Sequence, residues 1–252
     1  LYAHSTLTHK LFEQTVDWTK APVLGDGMLM FRQQIGENGL LKSFGSFNSM
    51  SMGMNYDNFE AGTMDDMKLD NLNFYTNTSY TDQLSEKWLI RTGVAYSRDS
   101  EKINYVGVPV TTVNTGASIK LTFTNLTSEN FKTRFGGDFN RGWYSQTITT
   151  DSIIRMEMID NLPSLFVETE WKISKKMALR TGVRAEYSSL LQEPALLPRI
   201  SAAYKTGTYS QFSFAWGKYR QKPENEYLQF APALSPEKAD HYILNFQYRK
   251  HR

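Results

Sequence analysis

Charged residues fall at every second position in two neighbouring stretches of this chain. Glu168 and Glu170 alternate with Val167, Thr169 and Trp171, and Arg180, Arg184 and Glu186 alternate with Leu179, Thr181, Val183, Ala185 and Tyr187. A strand sends successive side chains to opposite faces, so these charges share one face and the apolar residues the other. With Lys172 and Arg199, they have the chemistry of a cross-strand ion-pair ladder, at about 0.2–1 kcal/mol per pair. The same residues could also form a contact surface for a second domain or a passing solute, and one role does not exclude the other.

Other reactive groups are sparse. His4, His9, His241 and His251 lack the spacing of a zinc site. Asp65, Asp66 and Asp70 lack the spacing of a calcium loop with its central glycine, and read as solvated loop charge. No nucleophile-elbow or phosphate-loop motif occurs. Cysteine is absent, which removes disulfides and thiolate metal sites. Met28, Met30, Met50, Met52 and Met54 could in principle hold copper. Met50, Met52 and Met54 share a strand face with Tyr56, however, and plain lipid contact is the better expectation. Asn77-Thr78-Ser79 and Asn125-Leu126-Thr127 match a glycosylation acceptor, a match that would carry no meaning were the chain a bacterial barrel. The reading is therefore no catalytic residue, no metal and no cofactor.

The elements that carry these residues are strands. Period-two alternation dominates, and about twelve strands are expected, near 2–14, 26–36, 40–56, 70–82, 87–99, 112–125, 130–144, 162–173, 176–189, 197–206, 209–222 and 238–250. Strands of about 10–14 residues suit a tilted membrane span. Tight turns at 36–39, 83–86, 126–129, 173–176 and 205–208 alternate with longer connections near 15–25, 57–69, 100–111, 145–161, 190–196 and 223–237. This order belongs to an antiparallel up-and-down transmembrane β-barrel, with its short turns on the periplasmic side and long loops outside. Trp88 and Trp171 next to short turns, and Tyr96 and Tyr187 before longer connections, suit the two membrane interfaces. Mean hydropathy of −0.48 does not oppose this, because only alternate residues of a barrel strand face lipid. A net charge of +2 without a basic run argues against nucleic acid as partner.

Three segments carry a family resemblance. Leu84 to Asp99 (LSEKWLIRTGVAYSRD), Lys175 to Ser188 (KKMALRTGVRAEYS), and Leu197 to Tyr204 (LPRISAAY) followed by Pro223 to Leu228 (PENEYL) are similar to the barrels of TonB-dependent outer-membrane receptors of the Bacteroidetes. The resemblance is best over 84–250. It implies an all-β fold, one segment of a 22-stranded barrel, in the outer membrane of a Gram-negative cell. It implies a plug and a TonB box in an N-terminal region that these 252 residues do not show, and through that region a partnership with TonB–ExbB–ExbD. Outer-membrane lipid and a surface lipoprotein are the other partners it brings. The chain begins Leu1-Tyr2 without an initiator Met and ends directly after a strand-like stretch, as expected of an internal piece.

On this reading residues 1–252 are one wall segment of an active-transport receptor, not an enzyme. Its ligand is an iron chelate, an oligosaccharide, a peptide or a cofactor, met first by loops 57–69, 145–161 and 223–237. Glu168, Glu170, Arg180, Arg184, Glu186 and Arg199 would touch plug or ligand. Two alternatives stand beside it. One is a self-contained twelve-strand channel or barrel enzyme, for which His241 near a long loop is the available base. The other is a soluble β-domain.

Overall fold

The computed structural model describes residues 2–4, 17–58, 62–231 and 233–249. Twelve strands form one sheet in strict chain order, each antiparallel to its sequence neighbours. They are β1 (Tyr2–His4), β2 (Asp17–Ile35), β3 (Gly39–Asn58), β4 (Thr63–Ser85), β5 (Trp88–Tyr105), β6 (Val108–Ser128), β7 (Phe131–Thr149), β8 (Ile153–Lys172), β9 (Met177–Ser188), β10 (Glu193–Lys205), β11 (Ser210–Gln221) and β12 (Glu237–Tyr248). One short helix, α1 (Asn225–Phe230), lies between β11 and β12. No helix is long and apolar enough to cross a membrane. Each expected strand has its counterpart, although the first is described only over Tyr2–His4. The remainder of 2–14, with His9, and also His251, lie outside the described residues. Among the described residues β12 pairs with β11 alone, so the sheet is a wall segment rather than a closed cylinder.

The tight turns fall as expected at the foot of the sheet. The upper connections do not. Segments 57–69, 100–111 and 145–161, expected as long loops, are mostly strand among the described residues: β4 already begins at Thr63, and the next two upper connections shrink to Val106–Gly107 and 150–152. Strands β2 to β8 therefore run 18 to 23 residues, where about 10–14 were expected. Strands β9 to β11 stop at 12 or 13. At about 3.3 Å per residue and a tilt near 40°, ten residues rise roughly 25 Å, the height of a barrel's apolar band. The long strands thus continue as a crown on the order of 25 Å beyond it.

The two faces exchange character at the base of this crown. Within the band the outer face is apolar. On β5 it runs Trp88, Ile90, Thr92, Val94, Tyr96, and beyond Tyr96 it turns to Arg98, Ser100, Lys102 and Asn104. The inner face does the reverse. In the band it carries Arg91, Lys120, Arg134 and Arg184. Above it, Met52 pairs with Leu69, Leu69 with Ile103, Ile103 with Val110, and Val110 with Ile148. Lipid explains the first half of the pattern. Above the bilayer the outside is water and needs polar groups, while apolar side chains gather on the enclosed side. The expectation of lipid contact for Met50, Met52 and Met54 is corrected accordingly. Register Leu40↔Thr81↔Arg91 puts even positions of β3 on the inner face, together with the arginines.

The connection between β5 and β6 has only two residues, both with positive φ: Val106 at 51° and Gly107 at 76°. This primed geometry suits hairpins, but Val106 is β-branched and its Cβ crowds the backbone there. Asparagine tolerates that region. Val106→Asn is expected to raise stability by about 1 kcal/mol, read from urea unfolding of the receptor in lipid vesicles.

Candidate functional site

The inner wall is organised around two charged networks, built across strands rather than along them. In the upper one, Arg184 on β9 reaches over β8 to Asp138 on β7. Its Nη1 and Nη2 donate to the two carboxylate oxygens at 2.7 and 2.9 Å, a bidentate pair, and its Nε donates to Glu186 at 3.0 Å. All three side chains are largely buried, Asp138 to 8% exposure. The long arginine side chain spans the roughly 10 Å between strands two apart. Ser164, on the intervening strand, donates to the Asp138 backbone carbonyl at 3.4 Å. In the lower network Arg180 meets Glu170 at 2.9 Å and Glu168 at 3.4 Å, and Glu168 also meets Arg134 at 3.6 Å. These groups are a third to a half exposed, so each pair contributes little alone.

The structure thus gathers five of the six expected wall residues into two clusters. Arg199 stands apart, with its guanidinium over the Tyr219 ring at 4.8 Å. Asp138, Arg134 and Lys120 were not singled out from sequence. Strand alternation already put Arg134 and Asp138 on one face, but which residue of a neighbouring strand they meet depends on register. Lys120, opposite Asp138, also lies over the Phe166 ring at 5.3 Å.

In front of these networks lies a cavity of about 590 Å³, with lining contributed by β5 through β11. Arg91, Lys120, Arg134, Arg180, Arg184 and Arg199 line it, against Glu168 as the one carboxylate in the lining. Asp138, Glu170 and Glu186 neutralise part of this charge from the side. The result is a cationic bay whose guanidinium forks have the geometry to pair with carboxylates or phosphates.

Connection 223–237 does not project outward as a loop. Lys222 donates to Asn225 at 2.6 Å, and Asn225 donates to Asn114 on the inner face of β6 at 3.4 Å. Leu228 on α1 is 3% exposed and Tyr144 on β7 is 5% exposed. Its described part through α1 therefore folds as a strap against the inside of the crown. Burial there pushes the Lys222 amine down, with Asp160 pulling it the other way. Burial also pushes the Tyr144 hydroxyl up, with the Glu226 carboxylate adding to the effect. Asp160 has structural work as well, accepting from Ser188 Oγ at 2.9 Å and the Leu190 amide at 3.2 Å, which fixes the short β9–β10 turn.

The remaining expectations are placed as follows. Trp88 is on the outer face near the foot of β5, edge-on to Phe135 at 6.1 Å, and Trp171 sits opposite Phe131 at the same level. Tyr96 and Tyr187 are on the outer face near the top of the band. Asp65, Asp66 and Asp70 lie on β4, not in a loop. Asp65 is buried and accepts from Asn58 and Thr63, Asp66 meets Lys68 at 3.5 Å, and Asp70 meets Lys20 at 3.7 Å and Ser51. His241 stacks on Tyr219, with ring centroids 4.6 Å apart. Among the described residues no group of His, Cys, Asp and Glu could hold a metal ion.

Residues 24–252 match the family described as TonB dependent receptor-like, beta-barrel. No curated protein matches the sequence. Among solved structures, the copper transporter OprC is similar with a TM-score of 0.69 at 10% identity, over 92% of this chain and 44% of that one. The ferric yersiniabactin uptake receptor FyuA from Yersinia pestis has a TM-score of 0.68 at 11% identity, over 91% and 43%. The ferric-catecholate import receptor Fiu from E. coli K12 has a TM-score of 0.65 at 9% identity, over 91% and 44%. The chain spans less than half the length of these structures. At such identities the likeness establishes the fold.

Proposed function

Because the chain belongs to the TonB-dependent receptor-like β-barrel family, whose barrels lie in the outer membrane, we propose that it is the ligand-gathering part of the wall of an energised import receptor. The observation that carries this reading is the exchange of face polarity at the base of the crown. A channel wall needs only a wet interior. A wall that continues about 25 Å outward, with apolar side chains turned inward, offers a captured molecule a surface before it reaches the charged bay. Met52, Met54, Met67 and Tyr105 on that surface suit a ligand with an apolar or aromatic part, since methionine adapts to irregular shapes. Glu168, Glu170, Arg180, Arg184, Glu186 and Arg199 then face the plug or the solute below.

In this reading TonB–ExbB–ExbD supplies the energy, and a surface lipoprotein can sit over the crown. The segments LPRISAAY and PENEYL support placing the receptor with those of the Bacteroidetes. The test is uptake in the native host of iron chelates, oligosaccharides and peptides offered singly. Deleting the receptor gene should abolish uptake of one class, and deleting TonB should abolish the same uptake. Receptor-dependent uptake that persists without TonB would sink the proposal and favour a passive channel.

A further inference from the structure

Met50, Met52, Met54 and Met67 are four of the ten methionines in the chain, and the fold brings them to one corner of the crown's inner face. Met54 on β3 lies directly opposite Met67 on β4, which puts their Cβ atoms about 4.5–5.5 Å apart. Met52 follows Met54 on the same face of β3, at roughly 6.6 Å along the strand. All three are half-buried, so none is sealed in a closed core. Lipid contact, the reason for setting metal aside at these residues, does not hold on an inward face.

Plain apolar lining does not call for methionine here. The row that starts at Met52 continues as Leu69, Ile103, Val110 and Ile148, all branched aliphatics. The row that holds Met54 and Met67 runs instead from Trp18 on β2 to Tyr105 on β5, so two thioethers stand between two aromatic side chains. Tyr105 is stacked on Tyr56, with centroids 5.8 Å apart, and the buried Trp18 Nε1 has no hydrogen-bond partner among the described residues. The pairing of β2 with β3 is irregular only beside this corner, with register shifts between Trp18 and Lys20 and between Lys20 and Val23. Such bulges re-aim side chains next to sites.

The charge of the corner favours a cation. Asp65, two positions before Met67 on the same face, is 8% exposed. It accepts from Asn58 and Thr63, and no lysine or arginine pairs with it among the described residues. Lys20, Lys68 and Lys102, on the same stretch of wall, all lie on the outer face.

Thioether sulfur is a soft, uncharged donor, which selects Cu(I) over the harder divalent ions. Methionine's three rotatable bonds let sulfurs from neighbouring positions converge, and the face of an aromatic ring attracts a cation. We propose that Met52, Met54 and Met67 form a binding site for a soft monovalent metal ion, of the class of Cu(I) and Ag(I), between Trp18 and Tyr105. The ion binds as such, with no electron transferred. The proposal rests on the import reading only in taking the inner face of the crown as open to the outside, and it is independent of TonB.

Calorimetric titration of the whole receptor in mild detergent with silver(I) nitrate tests it, silver being redox-inert. The triple variant Met52→Leu, Met54→Leu, Met67→Leu keeps the volume and apolar character of the corner and removes only the sulfur. It should bind silver at least about tenfold more weakly, while Met156→Leu, on the inner face of β8, should bind as the unaltered receptor does. X-ray absorption of the unaltered receptor loaded with Cu(I) should show sulfur as the bonded neighbour of the metal, and this arm needs no variant to fold. Equal affinity of the triple variant and the unaltered receptor overturns the proposal. So does an equal loss in Met156→Leu, or a metal bonded to nitrogen and oxygen alone. Uptake that persists without TonB would sink the import reading and leave this titration unchanged, so the two failures are told apart.

Discussion

Arg184→Ala is expected to cost about 3 kcal/mol of barrel stability, the largest loss from removing any one charge in this wall. The reason is what stays behind. Asp138 and Glu186 are 8% and 12% exposed, and Arg184 satisfies both with three donors. Without the guanidinium two carboxylates are left close together in a poorly hydrated place. The side chain of Arg184 is itself 23% exposed, so water relieves part of the penalty, and the figure sits at the low end for a broken buried pair. Urea unfolding of the receptor in lipid vesicles measures it. The double variant Arg184→Met with Asp138→Asn should lose less than Arg184→Ala, because it removes charge from both sides. A shift below about 1 kcal/mol for Arg184→Ala would mean that the network does not hold β7 to β9 together.

Gly136→Ala is expected to be comparably damaging, about 3 kcal/mol, for a reason unrelated to charge. A Cβ at this position would lie 2.1 Å from the Leu121 carbonyl oxygen and 3.0 Å from Thr122 Cα. Those atoms are backbone of the paired strand and have no rotamer to escape into, so β6 and β7 would have to separate locally. Gly142 is the internal control. It lies on the same face of the same strand with nothing within 4 Å of its would-be Cβ, and Gly142→Ala should leave the unfolding midpoint nearly unchanged. Equal behaviour of the two variants would refute the steric argument.

Within the membrane band, single-residue alternation was enough to read the wall. Met177 to Ser188 shows both faces, the turns at 36–39 and 173–176 mark the foot, and Trp88 and Tyr187 mark the interfaces. Above the band the same rule misled, because its sign reverses. Met50, Met52 and Met54 alternate with Ser49, Ser51 and Gly53 as clearly as any strand does, yet the solvent outside has changed from lipid to water, and the apolar side turns inward. The charged stretches 57–69 and 145–161 read as loops for the same reason. Partners across strands were beyond reach. Glu186 was visible as a neighbour of Arg184 two positions away, but Asp138 is 46 residues distant and meets it only through the β7–β8–β9 register. The inward fold of the stretch from Lys222 through α1 had no local signal either, since Asn225 finds Asn114 across 111 positions of sequence.

The unequal height of the strands also gives the wall a direction. Between β8 and β9 the rim drops from strands of 20 residues to strands of 12. A molecule drifting along the cell surface toward β3 to β7 meets a polar parapet. From the side of β9 to β11 it meets a low sill, and the strap that rises there is tucked inward rather than across the gap. The apolar lining of the tall side faces that opening. If the wall gathers a ligand as proposed, capture is lateral as well as vertical, like a shell cupped toward the current, and a bulky tag placed in the short turn at 189–192 should obstruct ligand access more than the same tag at Val106–Gly107.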